Sequence, residues 1–114
     1  MRRLIASIAA TAAILAVTSP SASGANKVVD VGDDFFGPAE LSIKENKIID
    51  FNWIGVNDHN VFLNDGPGRY FDSGVYSTSG INFSKKFKKP GRYLLGCILH
   101  PDMDLNLKVK KRRR

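Results

Sequence analysis

From Lys27 onward the chain contains no stretch in which apolar residues recur with the period of a helix. Its Val, Ile, Phe and Tyr residues fall instead in short runs, cut about every ten residues by Gly, Pro, Asn and Asp. Such runs can bury one side chain in two as extended strands, but they are too short and too often interrupted to cover a core as helices. The spacing predicts strands over 27–31, 40–44, 47–53, 60–63, 69–72, 81–87, 91–97 and 105–110, the one at 69–72 being the weakest. Alternation is clearest over 82–87 and 105–110, where one face is apolar and the other charged, as in antiparallel strands lying across a core. Gly37-Pro38, Glu45-Asn46, 64–68, Ser79-Gly80 and 89–91 supply the chain reversals. The expected fold is all-β, a two-sheet Greek-key β-sandwich of seven to eight strands.

The first residues have a different character. Arg2 and Arg3 precede an uncharged apolar run from Leu4 to Val17, followed by small residues up to Ala25. This is the pattern of an export signal, with cleavage after Ala25 expected. The run is shorter than the roughly 20 residues that span a bilayer as a helix, so no stable membrane insertion of the mature chain is expected. A retained N-terminal anchor is the alternative. The expected organisation is a signal peptide at 1–25, one domain at 26–110 and a basic tail at 111–114, in an exported protein that is periplasmic or secreted. Removing 1–25 takes away two arginines and no acid, lowering the formal charge from +6 to about +4. Lys85, Lys86, Lys88 and Lys89 form one basic cluster and Lys108 to Arg114 another. Both read as solvated patches that favour acidic partner surfaces over nucleic acid, which an exported protein does not meet.

Small exported domains usually rely on disulfides, yet Cys97 is the only cysteine and cannot form one within the chain. A thiol in an oxidising compartment has to be buried, paired with another chain or bound to something. Cys97, His100 and Met103 follow one another at intervals of three, between two predicted strands. With two His and two Met in the chain, that spacing arises by chance roughly once in 3,000. His59 begins another predicted strand and can reach the same end of a sandwich. Two imidazoles, a thiolate and a thioether form the ligand set of a type 1 copper site: imidazole suits Cu(II), whereas the two sulfur ligands suit Cu(I).

The sequence resembles the cupredoxins, in particular the small plastocyanin-like and amicyanin-like proteins with a short ligand loop. The resemblance rests on DDFFGPAELSIK, FNWIGVNDHNVFL, FDSG and GRYLLGCILHPDMDLNLKV, in that order along the chain. It implies one copper ion held by His59, Cys97, His100 and Met103, with Asn60 tying the two ligand loops together. It also implies that His100 presents an edge to solvent as the electron port, in an apolar patch drawn from Pro101, Pro38 and Phe36. The chain departs from the family pattern at Glu45-Asn46-Lys47 and at Leu105, where glycine is common.

The resulting expectation is a soluble, monomeric one-electron carrier that exchanges electrons with redox partner proteins. The alternative is a copper-binding protein for storage, delivery or resistance. A copper enzyme would need more histidines than His59 and His100, so no enzymatic activity is expected. Zinc would be served by Cys and His but poorly by Met103. A metal-free adhesion sandwich leaves the Cys-His-Met spacing without a cause.

Overall fold

A computed structural model describes residues 25–113; the expected export signal, apart from Ala25, and Arg114 lie outside the described residues. The described residues form eight strands, β1 (Lys27–Gly32), β2 (Phe35–Gly37), β3 (Glu40–Lys44), β4 (Lys47–Trp53), β5 (Phe62–Asp65), β6 (Gly80–Phe87), β7 (Gly91–Cys97) and β8 (His100–Lys110). They make two four-stranded sheets, in the orders β2-β1-β4-β6 and β3-β8-β7-β5. The all-β sandwich expected from the sequence is thus the observed fold.

Its details differ from the sequence reading in instructive ways. β2 was not anticipated, because Phe35–Gly37 is too short to show alternation; it pairs antiparallel with β1. Residues 69–72 form no strand, and only an isolated bridge links Asp72 to Phe62. β8 begins at His100 rather than at 105. Both sheets are mixed, since β1 runs parallel to β4 and β3 parallel to β8. A period of two reveals which side chains point inward but carries no information on strand direction.

Inward residues from both sheets meet in one core. Val29 and Val31, then Ile49, Phe51 and Trp53, come from the first sheet; Tyr93 and Leu95, then Leu105, Leu107 and Val109, come from the second. The sheets are joined at one end by the β3–β4 turn. There the Glu45 N–H donates to the Lys110 carbonyl at 2.8 Å, and the Asn46 N–H donates to that of Phe87 at 2.6 Å. Asn46 has φ 71°, a left-handed conformation that asparagine accepts more readily than other non-glycine residues. We call this end the turn pole. The opposite pole holds the β1–β2 turn, the ends of β4 and β7, and the start of β8.

Phe51 is fully buried between the sheets. Phe51→Ala is expected to cost about 3–5 kcal/mol through lost transfer energy and the cavity left behind. Lys86→Ala, at an exposed position, should change stability by less than about 0.5 kcal/mol in the same denaturant titration.

Candidate metal centre

Three segments distant in sequence converge at the second pole. After β4 the chain crosses over the end of the sandwich and reaches His59, whose backbone exchanges two 3.0 Å hydrogen bonds with Tyr76. The indole Nε1 of Trp53 donates to the His59 carbonyl at 3.3 Å. These bonds fix the main chain of a histidine whose side chain is fully buried.

The imidazole of His59 is held at both nitrogens. Its Nε2 lies 2.9 Å from Asp33 Oδ1, in the β1–β2 turn. A carboxylate only accepts, so Nε2 carries the proton in the neutral ring and Nδ1 keeps its lone pair. Nδ1 faces the Cys97 Sγ at 3.9 Å. The Asp33 carboxylate is itself positioned by the backbone N–H groups of Val56, at 3.1 and 3.2 Å, and Asn57, at 3.0 Å. The hydrogen bond from His59, aided by these two N–H groups, lowers its pKa from 3.8 to about 2. This approach needs a glycine at 55, since a Cβ there would lie 2.2 Å from Asp33 Oδ1.

Cys97 ends β7 and is almost fully buried. Two residues later the chain turns into β8, where His100 pairs across from Cys97. The His100 Nδ1 lies 3.5 Å from Sγ, while its Nε2 points outward, 3.4 Å from Asp34 Oδ1. Asn60, buried beside His59, accepts from the Ile98 N–H at 2.8 Å and donates to Asp72 Oδ1 at 3.1 Å. It joins the two loops in the manner the sequence resemblance implied. Met103 is buried, and it borders a small cleft together with His100, Pro101 and Asp34.

The donor atoms of His59, Cys97 and His100 all lie within 4.8 Å of one another. A trigonal plane with metal–nitrogen bonds of about 2.0 Å and a metal–sulfur bond of about 2.3 Å places nitrogen and sulfur about 3.7 Å apart. The observed 3.5 and 3.9 Å bracket that value. Each histidine therefore already offers a nitrogen at such a separation from the Cys97 sulfur, and the chemistry of the set suits copper.

Sequence reasoning missed Asp33 and Asp34. The Asp33–His59 contact spans 26 positions and belongs to no local motif, so the sequence contains no cue for it. Phe36, expected in a surface patch, points into the core. Its neighbour Phe35 is the half-exposed one, while Ile98, Leu99 and Pro101 lie exposed around His100.

Sequence comparison matches no family model and no curated protein. Comparison of structures does find likenesses. A variant of amicyanin in its reduced Cu(I) form at pH 4 aligns with a TM-score of 0.67 at 22% identity, covering 75% of this chain and 82% of that one. Another reduced amicyanin variant aligns at 23% identity with the same TM-score, covering 79% and 86%. The copper-containing nitrite reductase of Thermus scotoductus aligns with a TM-score of 0.69 at 20% identity, covering 87% of this chain but only 25% of that larger one.

Because the folded-state pKa of Asp33 lies below its unfolded value, its ionised form contributes stability that is present above pH about 4 and lost as the pH falls through about 2. Acid titration of the metal-free protein followed by circular dichroism is expected to show this loss, and Asp33→Asn should flatten that part of the profile.

In strand number, mixed sheet pairing and structural neighbours, the chain has the cupredoxin fold.

Proposed function

We propose that the protein is an exported one-electron carrier, periplasmic or secreted, in which His59, Cys97, His100 and Met103 hold one copper ion. The observation that carries this reading is the convergence of His59 Nδ1, Cys97 Sγ and His100 Nδ1, with both nitrogen–sulfur edges suited to a trigonal metal plane. Bound copper would supply a single-electron change between Cu(II) and Cu(I). The amicyanins that resemble this chain have been solved in both oxidised and reduced states, which supports such cycling.

The protein's own groups account for rapid exchange. Asp33 and the His59 backbone bonds prevent the first imidazole from turning, and Asn60 couples that loop to the one bearing Cys97. A buried thiol beside a fully buried imidazole keeps water away from one side of the plane. His100, with 29% of its side chain exposed, leads from the plane to the surface. The exposed apolar side chains of Ile98 and Leu99 surround that exit and suit brief, weakly held contacts with a redox partner protein.

The test is a visible spectrum after addition of Cu(II), followed by chemical reduction and reoxidation. An intense thiolate-to-copper band that bleaches and returns, and that is absent in Cys97→Ser, is the expected result. Copper uptake without that band, or a band that does not return, overturns the carrier reading in favour of storage or delivery. Met103→Leu is expected to keep the band and raise the reduction potential, because loss of a fourth donor penalises Cu(II) more than Cu(I). Voltammetry measures the difference.

A further inference from the structure

The two poles of the sandwich carry opposite charge. The segments that form the metal pole, 32–39, 53–62, 72–81 and 97–104, contain no lysine or arginine. They carry Asp33, Asp34, Asp58, Asp72, Asp102 and Asp104. At the turn pole, the ends of β3, β6 and β8 and the start of the β6–β7 connection present Lys44, Lys86, Lys88, Lys89, Lys110 and Lys111, all exposed. None of these lysines has an ion-pair partner among the described residues. The two basic clusters seen in the sequence thus merge into one cap, because β6 and β8 both run from the metal pole to the turn pole.

This cap is in the wrong place to guide a partner to His100. The length of β7 separates them, about 20 Å at roughly 3.3 Å per residue. At ordinary ionic strength that is more than two Debye lengths of about 8 Å. At that distance the basic clusters act mainly on a surface other than the one around His100.

A second feature shares the turn pole. β1 starts there, with Lys27 beside Ile49, and the Ala25 carbonyl accepts from Lys47 Nζ at 3.2 Å. The chain preceding Ala25 joins the domain on the basic side, and its sequence includes the apolar run from Leu4 to Val17. A cap of exposed lysines is complementary to a flat anionic surface, and the apolar run adds contact with its interior where a retained N-terminal anchor keeps it.

We propose that the turn pole seats the domain on an anionic phospholipid bilayer and holds the metal pole, with His100, facing the water. The contact is peripheral and electrostatic: each lysine near such a surface contributes on the order of 1 kcal/mol, and the attraction fades within a Debye length. The acidic metal pole is repelled by the same surface, so orientation follows from charge alone. The copper end is left free to meet soluble partners.

The experiment is co-sedimentation of the full chain with vesicles of phosphatidylcholine alone and of phosphatidylcholine mixed with phosphatidylglycerol. The neutral vesicles measure whatever residues 4–17 contribute by apolar contact. Stronger, salt-sensitive binding to the anionic vesicles is expected, and the triple variant K88Q/K89Q/K111Q should weaken it on the order of 100-fold. A variant with the same net charge, V56E/S77E/T78E, places its added charge at the metal pole and should bind nearly as well as the parent. Equal binding to both vesicle types, or equal loss in both triple variants, overturns the proposal. So does salt-sensitive binding to a DNA duplex or an acidic protein with none to anionic vesicles. Vesicle binding requires no copper, so a negative result leaves the electron-carrier reading standing, and a missing copper band leaves the lipid seat standing.

Discussion

Asn60 lies buried between two segments 38 positions apart in sequence, accepting from the Ile98 N–H while its amide nitrogen donates to Asp72. The β4–β5 connection carries His59, paired with Tyr76, and the β7–β8 hairpin carries Cys97 and His100; Asn60 ties the one to the other. A buried amide with both ends satisfied is costly to disrupt, since its partners would be left unpaired away from water. This side chain therefore sets the distance between the histidine and the thiol. Asp33 adds the orientation of the ring, and the core below sets the height of both. The donor triangle is the product of these constraints applied together.

The legible part of this arrangement was the part encoded locally. Cys97, His100 and Met103 sit within one short segment, and their spacing alone singled them out. The sandwich was legible because each strand announces itself by alternation or by an apolar run, as in 82–87 and 105–110. The rest is non-local. Asp33 reaches His59 through a turn whose sequence has no metal motif, and its seat depends on the missing side chain of Gly55. The parallel pairing of β1 with β4 and of β3 with β8 leaves no trace in a period of two. Phe35 and Phe36 are adjacent and chemically identical, so only the register of β2 against β1 decides which one enters the core.

Charge distribution belongs to the same non-local class. Two basic runs, one near residue 87 and one at the end of the chain, look independent along the sequence, while the acids that oppose them are scattered in small groups. Antiparallel and parallel pairing sorts them, because the long strands β1, β4, β6, β7 and β8 run between the poles. A moderate net charge thus conceals a strongly polarised molecule, and it is the separation of charge rather than its sum that an interacting surface would sense.

The pairing of β7 with β8 changes register at its upper end. Gly96 lies opposite Asp104, but Cys97 lies opposite His100, so Pro101, Asp102 and Met103 have no counterparts on the other strand. Below that step, Leu105, Leu107 and Val109 keep strict alternation into the core. The step acts as a joint: the arc above it follows no pairing with β7, and Met103 is its one anchor in the packed residues beneath. The hairpin tip is consequently a replaceable cartridge on a fixed frame. Its size is set by the seat of Met103 and not by the strand pairing below.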